Sequence, residues 1–261
     1  MNAKIMGILN LTPDSFYPNA RVTIDAVLER AIDLQAEGAD IVDLGGESTR
    51  PYASFVESEL EIKRVLPALK KITPHLSISI SIDTSNANLM QLALANGANM
   101  INDVRALQLP GAIEVVAEHQ CDVCLMHMQN DPSTMQINPH YADILTEVYA
   151  FLSERIEACL ARGINLSNII IDVGFGFGKT FENNLTLFRN LDYFNSLGCR
   201  MLVGLSRKGI IGNILQLPIE DRLYGSLGAQ VLAYIKGADI IRVHDVLATA
   251  QALKVVAVLR G

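Results

Sequence analysis

Eight short apolar runs rich in Ile, Val, Leu and Met recur along this chain, and they constrain its fold more than any other feature. They are Lys4–Leu9, Asp40–Leu44, Ile78–Ile82, Met100–Ile101, Val123–Met126, Ile169–Ile171, Met201–Leu205 and Ile240–Val243. Their continuous apolarity, in place of alternation, predicts strands covered on both faces, as in a parallel sheet. Between them lie segments of helical period: Thr23–Glu37, Glu57–Lys71, Tyr141–Ala161, Leu185–Leu197, Arg222–Lys236 and Val246–Leu259. Ser54 and Glu57 have the spacing of a capping box at the start of one of them.

A short echo supports the alternation. Gly38-Ala39-Asp40, Gly97-Ala98-Asn99 and Gly237-Ala238-Asp239 each join a helical pattern to an apolar run. Glycine fits the left-handed turn that stops a helix. The echo alone leaves a closed barrel and an open doubly wound sheet both possible. Eight βα units within 261 residues match the size of a (β/α)₈ barrel, about 250 residues. No Pro/Ser-rich linker divides the chain, so the expectation is α/β, one TIM barrel domain over residues 1–261.

Half of the residues are hydrophobic and 19% are charged, enough apolar material for a large core. A net charge of −7 argues against nucleic acid as partner. The opening residues lack the pattern of a secretory signal, and no run reaches the length of a membrane span, so a cytoplasmic protein is expected. Cys121 and Cys124 have C-x-x-C spacing, but Cys159 and Cys199 stand apart and complete no zinc site. All four are read as structural.

The polar residues that end the apolar runs are more informative. In order they are Asn10; Asp43 and Glu47; Asp83; Asn102 and Asp103; His127; Asp172; Ser206 and Lys208; and Arg242, His244 and Asp245. In a parallel barrel these ends share one rim, the C-terminal face where active sites of this architecture lie. The glycine run before Lys179-Thr180 is not a phosphate loop, because that pattern needs glycine where Val173 stands.

Eight segments, in order, resemble dihydropteroate synthases. They are Gly7-Ile-Leu-Asn-Leu-Thr-Pro-Asp-Ser-Phe16, Asp43-Leu-Gly-Gly-Glu-Ser-Thr-Arg-Pro51, Ser81-Ile-Asp-Thr84, Ile101-Asn-Asp-Val104, Leu125-Met-His-Met-Gln129, Asp172-Val-Gly-Phe-Gly-Phe-Gly-Lys-Thr180, Val203-Gly-Leu-Ser-Arg-Lys208 and Arg242-Val-His-Asp245. The resemblance implies condensation of (7,8-dihydropterin-6-yl)methyl diphosphate with para-aminobenzoate, giving 7,8-dihydropteroate and pyrophosphate in folate biosynthesis. It implies that Asp172, Asp83, Asn102 and Lys208 bind the pterin, and that Thr49, Arg242 and His244 bind its diphosphate. Asp14, Lys208, Arg242 and His244 are the implied catalytic residues. Phe16, Arg50, Pro51, Phe177 and Ser206 would contact aminobenzoate, with the Thr12–Asn19 and Glu47–Phe55 segments as mobile lids. Plain packing is an equally serious reading of Phe177. Asn10 is the implied contact to Mg²⁺, although a strand-end hydrogen bond is as good a reading of it. A homodimer, and membership among sulfonamide targets, are implied in the same way.

The chain departs from the family pattern in places. Tyr17-Pro-Asn-Ala follows Phe16 where glycines are common, Asn130 replaces a usual glycine, and Val173 a usual proline. Gly209 stands where many members carry a serine for the aminobenzoate carboxylate, a task that backbone N–H groups opening the next helix would have to take over. A pterin-dependent methyltransferase domain and a non-catalytic folate-binding protein are the competing functions. Thr49-Arg50-Pro51 and Arg242-Val-His244 favour the synthase.

Overall fold

A computed structural model describes residues 3–11, 24–47 and 57–260. Eight parallel strands close into a barrel in chain order, with the last hydrogen-bonded to the first. They are β1 Lys4–Asn10, β2 Ile41–Gly45, β3 Ser79–Asp83, β4 Met100–Asp103, β5 Asp122–Met126, β6 Ile169–Asp172, β7 Arg200–Val203 and β8 Ile240–Val243. Every expected run is a strand, with ends moved by no more than two residues.

The helices are α1 Ile24–Ala36, α2 Ser58–Ile72, α3 Ala87–Leu94, α4 Ala112–His119, α5 Ile144–Ala161, α6 Phe181–Arg189, α7 Gly209–Leu215, α8 Leu223–Ile235 and α9 Val246–Arg260. Three of them, α3, α4 and α7, are eight residues or shorter, too brief to leave a clear period in the sequence. The expected Leu185–Leu197 helix is two pieces: α6 ends at Arg189, and a 3₁₀ segment covers Leu191–Leu197. The expected capping box is also corrected. Glu57 is the N-cap of α2, one residue outside the helix, and makes no side-chain cap; Ser54 lies outside the described residues. The reciprocal box is found at α6, between Thr180 and Asn183.

The echoed Gly-Ala-Asp/Asn segments have a common construction. Gly38, Gly97 and Gly237 have φ of 101°, 100° and 102°, which only glycine adopts without strain. The alanine that follows donates its N–H to a carbonyl five residues back, from Leu34, Ala93 and Ala233 respectively. The third residue clamps the preceding strand twice. Asp40 donates its N–H to the Ile5 carbonyl and accepts the Ile5 N–H on its carboxylate, both at 2.8 Å. Asn99 does the same with Ile80, at 3.0 Å and 3.0 Å, and Asp239 with Met201, at 2.9 Å and 2.8 Å. These clamps key β1 to β2, β3 to β4 and β7 to β8.

Two apolar cores result. One lies between barrel and helices, where Val27, Ala31 and Leu34 form the buried face of α1. Gly7 is needed there: a Cβ would lie 3.0 Å from both Leu34 and Val246 side-chain carbons. The other plugs the barrel and consists of Met6, Ile41, Met100, Cys124, Ile170, Leu202 and Ile240. Strand side chains alternate, so residues two further on face the same interior. Those residues are Ile8, Asp43, Asn102, Met126, Asp172, Gly204 and Arg242. A polar layer therefore rests directly on the dry plug.

Burial pushes the Cys121 thiol up to about 12 and the Cys159 and Cys199 thiols to about 11. Cys124 is itself part of the plug. All four cysteines are free thiols, and among the described residues no group of three or more His, Cys, Asp or Glu is placed to hold a metal.

Candidate active site

The polar layer is organised around Arg242 on β8. Its Nε donates to Asp43 Oδ2 at 2.6 Å, and its Nη2 donates to Asp83 Oδ2 at 2.9 Å. Asn102 Nδ2 donates to the same Asp43 oxygen at 3.1 Å. Two glycines make room. A Cβ on Gly45 would lie 3.2 Å from the Asn10 Oδ1 and 3.5 Å from the Asp83 Cβ, and one on Gly204 would lie 3.8 Å from the Arg242 Cβ. One cation between two carboxylates leaves an acidic surplus. Burial, followed by repulsion from Asp43, pushes Asp83 up to about 7 although Arg242 pulls the other way.

The opposite side is built from the ends of β6 and β7. Asp172 is buried, and its Oδ1 accepts the Gly174 N–H at 2.7 Å. Burial raises its pKa, while Lys208 lowers it. Lys208 Nζ donates to the Phe175 carbonyl at 2.6 Å and stands 4.7 Å from the centre of the Phe177 ring. Burial lowers Lys208 to about 8, with Asp172 opposing and Arg242 reinforcing the shift. Ser206 Oγ accepts the His244 N–H at 3.2 Å and lies 3.0 Å from its Nδ1. The nearby Asp245 is engaged by both Nε and Nη2 of Arg207, at 2.9 Å and 2.8 Å.

These groups open onto a cavity of about 490 Å³ at the C-terminal mouth of the barrel. Of the residues expected from sequence, Asn10, Asp83, Phe177, Ser206, Lys208, Arg242 and His244 line it. Asn102 and Asp172 stand behind the lining, each 6% exposed. Asp14, Phe16, Thr49, Arg50 and Pro51 lie outside the described residues, as do most of the two expected lids. Sequence reasoning left Asp43 without a role, although it accepts from both Arg242 and Asn102. It also missed Met135 and Gln136, which enter the cavity from the segment between β5 and α5, and gave no role to Lys179, present in a family segment and in a failed phosphate loop. No local pattern marks Met135 and Gln136. Lys179 did carry a signal, as a lysine set inside a run of glycine and phenylalanine.

The model of the pterin binding enzyme family matches residues 6–244. Dihydropteroate synthase of Haemophilus influenzae is 45% identical over 253 residues, covering 97% of this chain and 92% of that protein. The chain belongs to the dihydropteroate synthase family. Dihydropteroate synthase of Neisseria meningitidis serogroup B is 46% identical over 261 residues, covering 97% and 91%. The Yersinia pestis dihydropteroate synthase bound to a sulfonamide drug superposes with a TM-score of 0.95 at 40% identity, over 99% of this chain and 94% of that one. The Xanthomonas albilineans dihydropteroate synthase in complex with 7,8-dihydropteroate gives a TM-score of 0.91 at 40% identity, over 100% and 94%. Near-complete coverage by synthases sets aside the methyltransferase reading.

Two departures from the family pattern are accounted for by the backbone and by packing. Asn130 has φ of 62°, a left-handed conformation that asparagine tolerates better than most residues other than glycine. Val173 is fully buried, an apolar residue in place of an apolar proline.

Proposed function

We propose that this chain condenses (7,8-dihydropterin-6-yl)methyl diphosphate with para-aminobenzoate, releasing pyrophosphate and forming 7,8-dihydropteroate for folate synthesis. The observation that carries the reading is one cavity with a buried polar floor and an aromatic outer wall. The lining offers Asp83 to the N–H groups of a pterin edge and Lys208 to its ring oxygen, with Asn102 and Asp172 directly behind it to complete the edge. A hydrogen bond to a charged partner contributes about 1.5–3 kcal/mol, so several together can hold a ring against water.

Arg242, His244 and Thr49 would hold the diphosphate. The methylene C–O bond breaks first, and its electron pair leaves with pyrophosphate. The aminobenzoate nitrogen then forms the C–N bond and releases a proton to solvent or to the departing anion. No covalent link to the protein is needed, so catalysis rests on positioning and fixed charge. Asp14 would stabilise the transient cation. Phe16, Arg50, Pro51, Phe177 and Ser206 would hold aminobenzoate, and sulfonamides would compete for the same place.

The donor set suits Mg²⁺. Asn10 brings a single neutral oxygen to the cavity, which fits an ion completed by substrate phosphates and water. When bound there, Mg²⁺ would neutralise charge on the leaving group. A homodimer is supported by the exposed apolar residues Leu232, Ile235, Leu247 and Val255 on the paired helices α8 and α9. Four free thiols suit the reducing cytoplasm.

The test is pyrophosphate release that depends on aminobenzoate, together with calorimetry on Asp172→Asn. This isosteric change keeps the acceptor for Gly174 but removes the charge. It should weaken pterin diphosphate binding by about tenfold or more, as expected for a lost charged hydrogen bond, with little change in Tm. Binding equal to wild type would remove Asp172 from the site, and pyrophosphate release indifferent to aminobenzoate would overturn the reading.

A further inference from the structure

We propose that Lys179 is a positioning residue for the aminobenzoate side of the site: it ties the Gly174–Phe177 loop to His127 and so holds Phe177 and Lys208 in place. This rests on the aminobenzoate reading of the outer cavity.

The side chain is 3% exposed, and its nitrogen has four partners. It lies 2.9 Å from His127 Nδ1 and donates to the carbonyls of His127 at 3.2 Å, Gly174 at 2.9 Å and Phe177 at 2.9 Å. No carboxylate is among them. Burial without a carboxylate in hydrogen-bond contact pushes the Lys179 pKa well down, with Asp172 opposing through space and Lys208 reinforcing, so keeping this amine here needs a local return. The return is the shape of the loop. Gly174, Gly176 and Gly178 have φ of 70°, 83° and 62°, and on this path the Gly174 carbonyl, which also accepts the Phe177 N–H at 3.1 Å, and the Phe177 carbonyl both come within reach of Lys179. Lys179 collects both.

The loop is also pressed against the end of β5. A Cβ on Gly174 would fall 1.9 Å from the His127 carbonyl oxygen, and one on Gly178 would fall 2.7 Å from that of Gln129. Burial, and then Lys179 itself, press the His127 pKa down to about 2, so the ring stays neutral and Nδ1 can accept. Other side chains tie the loop as well: Gln136 Nε2 donates to the Gly176 carbonyl at 2.6 Å, Tyr141 Oη donates to that of Gly178 at 2.7 Å, and the Gly176 N–H donates to Asn184 Oδ1 at 2.7 Å. Lys179 is the inner tie. What it holds reaches the ligand side directly, since Phe175 lends its carbonyl to Lys208 and Phe177 lies under the same ammonium.

The experiment is steady-state kinetics on the full-length protein, with KM for both substrates and kcat measured separately. Lys179→Met should raise the aminobenzoate KM about tenfold or more, because small misplacements of a positioning wall have effects of that order, and the pterin diphosphate KM less than about threefold. His127→Leu should reproduce the split. His127→Asn, which keeps an acceptor near the Nδ1 position, should restore most of the wild-type value. Equal rises in both KM values, an unchanged aminobenzoate KM, or a loss of rate that only tracks a smaller folded fraction would overturn the assignment. If Lys179→Met does not fold, Tyr141→Phe unties the same loop from its partly exposed side and should give a smaller split of the same kind; no split there overturns the proposal. Wild-type protein without aminobenzoate-dependent turnover would sink the functional reading, whereas active wild type without the split sinks only the role of Lys179.

Discussion

The two halves of the cavity are built by different means. The deep half comes from strands: Asp43, Asp83, Asn102 and Arg242 are fixed by extended backbone, and their contacts, two ion pairs and one amide-to-carboxylate hydrogen bond, join strands that are not adjacent in the barrel. The outer half comes from segments after β5, β6 and β7, where the positive-φ glycines 174, 176 and 178 and lysine nitrogens on carbonyl oxygens set the shape. In the deep half, sheet register determines position, and the four groups form one connected network through Asp43 and Arg242. In the outer half, side chains from separate segments, Lys179, Gln136, Tyr141 and Asn184, tie one loop. The deep half should therefore fail by losing stability along with binding, and the outer half by losing one substrate at a time.

The most damaging way to break the contrast is Arg242→Ala. It leaves Asp43 and Asp83 buried without their cation, at a cost of about 3–5 kcal/mol. We expect a clear fall in Tm together with loss of turnover. Thermal unfolding checks this, and a Tm within a degree of wild type would mean that the deep half is not held by charge.

A milder probe uses pH, with Lys208 at the border between the halves. Its pKa is depressed, so the ammonium is present below about 8 and lost above it. The value of kcat/KM for pterin diphosphate should then decline as pH rises through about 8. An anionic substrate nearby favours the charged form, so the alkaline limb of kcat should lie at higher pH than that of kcat/KM. Coincident limbs, or none before pH 10, would separate Lys208 from substrate binding.

The smallest effect is expected at the outer edge. Gly209 opens α7, and nothing lies within 4 Å of where its Cβ would be. Gly209→Ser should fit without strain and improve the aminobenzoate KM a few-fold. One hydrogen bond to a charged group sets an upper limit of about 3 kcal/mol, and water competes for most of that. Parallel KM measurements for both substrates decide the point, because a change confined to the pterin would reverse the assignment of the two halves.

The sequence was most legible where physics is local. Continuous apolar runs revealed all eight strands, and the polar residue closing each run marked the rim. Contacts across the barrel were not legible. Arg242 meets Asp43 across 199 positions and Asp83 across 159, and nothing in either neighbourhood ranks those partners above other carboxylates. Ser206 was assigned to aminobenzoate without sight of its contact with His244. Lys179 follows three glycines in a segment shared with the family, yet received no role, because a lysine that folds back onto its own loop has no spacing rule.

The three double clamps of Asp40, Asn99 and Asp239 lie at the other end of the barrel, near the strand starts. They act as an index for the site. A strand that slipped by one position would turn its polar rim residue out toward the helices and bring an apolar neighbour inward. By pinning Ile5, Ile80 and Met201 at the bottom, the clamps decide that Asn10 and Gly45, Asp83 and Asn102, and Gly204 and Arg242 arrive side by side at the top. The chemistry of the mouth is thus addressed from the base, by residues that no ligand would touch.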